Sequence, residues 1–576
     1  MNSSEITWRD GSEERIKKIL LSADDRSSAS DFLASNITDW PTRYHFDRRR
    51  TNILRPINFD PSMRVLDVGA GTGVMSRYMA EKGVSVTALE GDEMRAELAA
   101  LRCENLDVNV QHGSVDDFED NEGFDLVLVV GVLEYANSNP NGPSGFLKKL
   151  SQLLKPDGSL VLAIENQMGL AYWMGANEDH LGEPWVGLEG YSASDSVRTF
   201  SKPALSALLA GTGFDFQNWL YPFPDYKLPL TILSDLAYME DDRVDLIDQL
   251  VGTPVDQWPS GRTGVLPFFD TRALHRQVID SGMGQDMSNS FLVVCKLNES
   301  KSIIDQDVIA WRFSGDRKKS FLGLRQVIVE DGIRKINRKS AHADVSSESS
   351  WLTQRNSDSP AEKYISGPNL VQLALKSLRQ GNLEDFESLL SMFDDWLTLN
   401  TCTPSVDSEM HPFLTDLSAE VLGEEFIDCG FDNLVLEDGK LKLIDDEWVA
   451  SGGVNADLVI VRALHRLSYS IVASGSKTPW TLNMSVEDLA SKFVEMFPRD
   501  LRIGILKDFY AAEASLLSVV MDGSEVDLLE NIYEANRRRS NNVFSDRSTR
   551  TSFRSKFAWL KRFPGGRSLA RWTRPR

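Results

Sequence analysis

Arg64–Asp92 reads RVLDVGAGTGVMSRYMAEKGVSVTALEGD. Arg64-Val65-Leu66-Asp67-Val68 is an apolar run of strand length, and Gly69, Gly71 and Gly73 follow it in a G-x-G-x-G pattern. Val74 to Lys82 has helical composition and is stopped by Gly83; Val84 to Leu89 is again apolar and β-branched and ends on Glu90. The spacing predicts a strand, a glycine turn, a helix and a second strand. Glycines in such a turn admit a tight backbone path and let a ligand come closer than a Cβ would allow. An acid at the tip of the second strand can accept hydrogen bonds from both hydroxyls of a ribose. Asp67 before the turn and Glu90 after it favour a ligand-binding turn over an ordinary crossover with incidental glycines.

The alternation continues outward from this unit. Glu93 to Arg102 is helical, and Val108 to His112 is a short strand leading into Gly113-Ser114-Val115-Asp116-Asp117-Phe118. Phe124 to Val130 is a continuous apolar strand followed by Gly131-Val132-Leu133-Glu134-Tyr135. Pro143 to Leu154 is a helix, Pro156-Asp157-Gly158 a turn, and Ser159 to Ile164 a further strand. This order predicts an α/β fold with a mostly parallel, doubly wound sheet, whose ligands sit at the carboxyl ends of the strands. The glycine turn, Glu90, Ser114–Asp117 and Gly131–Tyr135 all fall at such ends and should ring one pocket. Upstream, residues 1–38 are polar and expected to be loosely ordered. Asp39 to Leu54, with Tyr44, His45 and Arg48-Arg49-Arg50, is either a solvated helix or a lid over that pocket.

VLDVGAGTG, ALEGD, GSVDDF, FDLVLVVGVLEY and LLKPDGSLVLAIEN together resemble the class I S-adenosylmethionine-dependent methyltransferases, over about residues 39–300. A nicotinamide-binding fold more usually shows G-x-G-x-x-G. The resemblance implies S-adenosyl-L-methionine as cofactor. It places Asp67, Gly69, Ala70 and Gly71 around the methionyl part with Gly131 nearby, Glu90 on the ribose, and Ser114 and Val115 beside the adenine. Many relatives carry Asp where this chain has Ser114.

The stretch 165–230 is expected to be a substrate insert. It is dense in polar and aromatic residues: Ile164-Glu165-Asn166-Gln167, Tyr172-Trp173, Glu178-Asp179-His180, Gly190-Tyr191 and Tyr221-Pro222-Phe223-Pro224-Asp225-Tyr226-Lys227. Flat rings for apolar sugar faces beside fixed polar groups for hydroxyls suit a sugar pocket, although such rings can equally pack a structural insertion. As a whole the stretch resembles methyltransferases associated with bacterial surface-polysaccharide (O-antigen type) synthesis, which implies a glycan or glycan-lipid acceptor; a small-molecule acceptor is the alternative. His180, with Glu178 and Asp179 adjacent, is a candidate general base whose pKa could sit near the working pH, or else a structural loop residue.

The rest of the chain has a different texture. A polar link, NESKSIIDQD, marks an expected domain boundary near 300, followed by strand-like Val308–Arg312, Phe321–Glu330 and, after Asp331-Gly332, Ile333–Ile336. Asn369 to Leu399 is helical. In FIDCGFDNLVLEDGKLKLIDDEWV (Phe426–Val449), Asp428 and Asn433 are five apart, and Asp445 follows a hairpin around Glu437-Asp438-Gly439. Asp, Asn and a later Asp across a hairpin is an arrangement suited to phosphoryl transfer: Asp428 as catalytic carboxylate, Asn433 and Asp445 on magnesium. Residues 303–475 resemble protein-kinase-like and aminoglycoside-phosphotransferase-like folds, an α+β arrangement implying ATP and Mg, with Lys335 as the phosphate-binding lysine. No His-Arg precedes Asp428, Asp445 does not begin D-F-G, and Phe313–Arg317 holds one glycine. An active kinase, an inactive scaffold and an unrelated α/β domain all fit the segment. Residues 476–536 are expected to be helical.

Across 576 residues the net charge is −23, with 41% hydrophobic and 26% charged residues, so several domains and a surface repelling nucleic acid are expected. Four cysteines without a C-x-x-C pair, no apolar N-terminal core and no long apolar run suggest a cytoplasmic protein. Charge is uneven: residues 537–576 hold thirteen basic residues against one acid, Asp546, a tail of about +12 that leaves about −35 on the remainder. Phe553, Phe557, Trp559 and Trp572 interleave with those bases. The tail is either a plain basic extension or a segment docking on an acidic partner or the inner membrane face. A non-enzymatic adaptor recruited to a polysaccharide-assembly complex is the competing class to an enzyme.

Overall fold

In the computed structural model, the described residues are 9–539 except 139–140, 193–194, 253, 255–268, 341–348, 356–360, 404–408, 477, 479 and 482. The expected basic tail falls almost wholly outside them. The first thirteen strands in chain order are β1 Arg64–Val68, β2 Ser85–Glu90, β3 Val108–His112, β4 Phe124–Val130, β5 Leu154–Glu165, β6 Phe216–Phe223, β7 Thr231–Ser234, β8 Ser290–Lys296, β9 Val308–Phe313, β10 Gly323–Glu330, β11 Ile333–Ser340, β12 Leu352–Gln354 and β13 Glu362–Lys363. All but β12 form one sheet, in the order β13-β11-β10-β9-β7-β6-β8-β5-β4-β1-β2-β3.

From β3 to β5 the sheet is parallel, with Val68 opposite Leu89 and Val129. Interior strand β4 is buried along nearly its whole length because helices cover both faces of the sheet, which is why it reads as an unbroken hydrophobic run, whereas edge strand β3 stays partly exposed. β8 then runs antiparallel between β5 and β6, and every later pairing is antiparallel. The Rossmann-like unit anticipated from the sequence is therefore present, as part of a larger mixed sheet.

Three expectations need correction. The boundary near 300 does not separate two sheets. β9 hydrogen-bonds to β7, so β9, β10 and β11 extend the first sheet instead of starting a small sheet of their own. The physical reason lies in β9 itself: Val308, Ile309, Ala310, Trp311 and Phe313 are all buried, a pattern for an interior strand with cover on both faces. The polar link is tied down as well, since Asn58 N–H donates to the Ile303 carbonyl at 2.8 Å and Ile304 is buried. Second, the 165–230 stretch is not wholly an insert, because helix Lys202–Ala210 and β6 belong to the layered fold. Third, the polar N-terminal segment is ordered from residue 9. In helix Glu13–Ser22, Ile16 and Leu20 are fully buried against Leu33, Phe46 and Leu98.

The C-terminal body is mainly helical: Leu370–Gln380, Leu383–Leu399, Ala456–Ser474, Val486–Met496, Ile505–Val520 and Glu525–Asn536. One apolar core runs through Leu378, Phe393, Leu434, Leu464, Phe493, Phe509 and Ile532, so the helices after 476 share the core of those before it. Leu434–Glu437 and Lys440–Leu443 form the expected hairpin. This body meets the sheet domain through polar ties, among them Arg48 to Asp522 at 2.9 Å and Lys318 N–H to the Val520 carbonyl at 2.8 Å. Among the described residues, no helix is long and apolar enough to cross a membrane.

Candidate active site

The carboxyl ends of β1, β2 and β4 open onto a cavity of about 870 Å³. Asp67, Gly69, Ala70, Gly71, Glu90, Ser114, Val115 and Gly131, the residues assigned to the methyl donor, all line it. The glycine turn is held from below. Gly71 N–H donates to Glu90 Oε2 at 2.7 Å, and Asp92 N–H to Glu90 Oε1 at 2.9 Å. Glu90 thus shapes the turn as well as facing the pocket. Asp67 accepts from Ser76 Oγ at 2.5 Å, which ties β1 to the following helix. Burial pushes the Asp67 carboxyl up to about 6, helped by the charge of Glu90, and burial likewise raises Glu90. Gly73 serves packing rather than ligand approach: at φ +77°, a Cβ there would sit 2.9 Å from Ala99 Cα.

Segments upstream of β1 close the cavity. Helix Trp40–Phe46 and the following turn Arg48–Leu54 place Trp40, Tyr44 and Arg50 on its wall, which favours the lid over the solvated face. Buried His45 shares a hydrogen bond of 3.0 Å with Thr72 in the glycine turn.

A second wall of the cavity is formed by Glu134, Tyr135, Asp179, His180, Tyr226 and Lys227. His180 Nδ1 is 2.9 Å from the Tyr135 hydroxyl, and the rings meet edge to face at 4.9 Å. The hydrogen-bonded partner of the His180 ring is thus Tyr135. Glu178 instead accepts the backbone N–H groups of His180 and Leu181, at 2.8 and 2.7 Å, and Asp179 binds Lys227 at 2.6 Å. Burial lowers the His180 pKa, against the upward pull of Glu178. Glu134 is 1% exposed, and burial pushes its carboxyl up to about 7 while Lys227 pulls the other way. Lys227 is buried in an ion pair with Glu165, and that burial drives its pKa well down. Glu134 belongs to the Gly131–Tyr135 segment expected to ring the pocket, Arg50 to the candidate lid, and Tyr226 and Lys227 to the aromatic 165–230 stretch, but none of the four had an individual role assigned. The available signal was a lone acid ending an apolar run, LVLVVGVLE, and a lone lysine in an aromatic, proline-rich loop.

The second predicted constellation comes together only in part. Asn433 Nδ2 donates to the Asp428 carbonyl at 2.9 Å and to its carboxylate at 3.1 Å. Asp428 is clasped by Arg462 and Arg466; burial works upward on its carboxyl, but the two guanidiniums hold it well below the usual range. Asp445 pairs with Arg325 at 2.6 Å. Lys335 does not face Asp445. It sits on β11 opposite Ile328 and pairs with Glu330 near the hairpin end, at 2.5 Å. Arg325 on β10 takes the place expected for it.

The family described as "Methyltransferase domain" matches residues 42–218. The chain carries a class I methyltransferase domain. The ubiquinone biosynthesis O-methyltransferase of Schizosaccharomyces pombe is 33% identical over 126 residues, 21% of this chain and 44% of that protein. The cyclopropane-fatty-acyl-phospholipid synthase of Escherichia coli strain K12 is 30% identical over 137 residues, 23% of this chain and 32% of that protein. The chain thus spans less than half the length of these two curated relatives. Among solved structures, a Haloferax volcanii complex of the Trm112 methyltransferase activator with a putative methyltransferase aligns at 15% identity and a TM-score of 0.29, covering 46% of this chain and 96% of that one. The methyltransferase domain's match begins within the lid helix and ends in β6, so the second wall's Glu134, Tyr135, Asp179 and His180 lie inside it, and Tyr226 and Lys227 beyond it.

Proposed function

We propose that this chain transfers the methyl group of S-adenosylmethionine to an oxygen of a polar acceptor, with a glycan or glycan-lipid as the acceptor class. One observation carries this: a single cavity has two unlike walls. The glycine turn, Glu90 and Ser114–Val115 supply backbone and an acid for a nucleoside-type donor. The second wall, together with Tyr44 of the lid, supplies aromatic rings (Tyr44, Tyr135, Tyr226) beside charged groups (Asp179, His180, Lys227), which suits a hydroxyl-bearing ring compound. Methyl transfer needs in-line placement above all, and proximity supplies much of the rate. His180 is the residue of this wall best suited to accept the acceptor's proton, because burial keeps its ring neutral at ordinary pH.

For the C-terminal body we favour a scaffold over a phosphotransferase. Arg462 and Arg466 on Asp428, and Arg325 on Asp445, already supply the positive charge that magnesium and a nucleotide would bring.

The test of the donor half is calorimetry with S-adenosylmethionine. Glu90→Gln keeps one oxygen for the Gly71 N–H and removes the charge, and should weaken binding about 10- to 100-fold, the range for losing a charged hydrogen bond. Unchanged affinity refutes the donor assignment. For the acceptor half, saccharides incubated with protein and donor should gain one methyl by mass spectrometry.

A further inference from the structure

We propose that Glu134, Glu165 and His180 form a divalent-cation site on the acceptor side of the cavity. Glu134 and His180 line the cavity, and Glu165, at the end of β5, is joined to it through its ion pair with the lining Lys227. Each of the three offers one ligand atom, two carboxylate oxygens and one ring nitrogen, and these atoms all lie within 4.8 Å of one another. Donors about 2.1 Å from one centre are at most about 4.2 Å apart, so small side-chain rotations close the set. Among the described residues this is the one such group of three.

A second observation points to a ligand. Glu134 is 1% exposed, yet its Oε2 has no hydrogen-bond partner, and neither does the buried His180 Nε2. The two residues approach at 3.8 Å, Nε2 to Oε1. A buried carboxylate oxygen left without a partner is costly, and such atoms are uncommon in folded proteins. The Tyr135 hydroxyl lies on the far side of the imidazole, at Nδ1. In the tautomer whose Nδ1–H donates to Tyr135, the lone pair of Nε2 is turned toward Glu134. Metal-bound histidines are oriented in this manner by a partner on their other nitrogen.

Charge supports the same conclusion. Glu134, Glu165 and Asp179 converge here against Lys227, which contacts both Glu165 and Asp179. A carboxylate has two oxygens and can serve an ammonium and a cation together. With a cation bound, Lys227 stays on Asp179 while Glu165 reaches the ion. Two oxygens, one imidazole nitrogen and no thiolate fit Mn²⁺ or Zn²⁺ better than a soft metal or an all-oxygen calcium site. Set beside the donor, the ion would take over from the free His180 ring, binding, orienting and acidifying an acceptor hydroxyl, a role that rests on the methyl-transfer function proposed above.

The experiment uses the full chain stripped with EDTA. Mn²⁺ is titrated and the free ion followed by electron paramagnetic resonance, and Zn²⁺ binding is measured by calorimetry. One equivalent should bind saturably, and Glu134→Gln and His180→Gln should each weaken it at least 10-fold, circular dichroism confirming the fold. His180 lies in a loop, so its variant serves if Glu134→Gln does not fold. Absence of a saturable equivalent, or equal affinity in a folded variant, overturns the site. Calorimetry of S-adenosylmethionine on the same metal-free wild-type protein separates the two proposals: donor binding without Mn²⁺ binding defeats only the cation site, and Mn²⁺ binding without donor binding defeats only the methyl-transfer function.

Discussion

Replacing Asp67 by Asn isolates the electrostatic cost of burying a carboxylate beneath the glycine turn. Asp67 is 3% exposed and accepts a hydrogen bond from Ser76 Oγ, and burial pushes its carboxyl up to about 6. An unfolded Asp titrates at ~3.9, so burial disfavours the ionised form by ~3 kcal/mol, at ~1.4 kcal/mol for each tenfold change in proton affinity. The sign follows from proton counting. Below about pH 4 the residue is protonated in both states and burial carries no charge penalty. Between about 4 and 6 the native state keeps a proton that the unfolded chain has lost, so this group's contribution falls as pH rises, and it levels off above about 6. Asn can still accept from Ser76 but never ionises. Relative to wild type, Asp67→Asn should therefore gain ~3 kcal/mol between pH 4 and pH 7.5. Hydrogen exchange read by mass spectrometry on peptides spanning residues 64–80, both proteins at the same pH, removes the intrinsic exchange rate from the comparison. A difference that stays constant with pH, or shrinks toward pH 7.5, refutes the reasoning.

Two further outcomes follow from local geometry. Gly73→Ala meets both a positive φ and the Ala99 backbone, and should cost ~2–5 kcal/mol, whereas Gly71→Ala, with open space around its Cβ, should cost ~1–2 kcal/mol from the backbone alone; urea unfolding of the two variants checks the order. Arg325→Met strands the buried Asp445 carboxylate and should cost ~3–5 kcal/mol, whereas Lys335→Met loses a pair with the exposed Glu330 and should cost under ~1 kcal/mol; a reversed order, or ATP binding lost in the Lys335 variant, would restore Lys335 to a nucleotide site.

The donor half of the cavity was legible because its parts are short-range. Gly69, Gly71 and Glu90 sit within one β-α-β unit, and the hydrogen bond from Gly71 to Glu90 spans only 19 residues. A strand of period-free apolar residues, a glycine turn and an acid at the next strand tip can meet in few ways once the strands are parallel. The acceptor wall was only half legible. Tyr135 and His180 stood out as residues, but their contact, 45 residues apart, is made only by the tertiary fold. The neighbours of His180 in sequence then turned out to serve backbone amides and Lys227 instead of its ring.

What the sequence by itself determined was a parallel α/β unit with a ligand-binding turn, since those signals repeat at the period of the elements and need no distant partner. Tertiary structure alone decided the rest. It drew β9–β11 into the first sheet, because a strand buried on both faces needs neighbours that the local pattern does not name. It seated Lys227 on Glu165, 62 residues away, and Arg325 on Asp445, 120 residues away. A buried charge takes whichever opposite charge the fold brings within reach, and spacing along the chain carries no record of that choice.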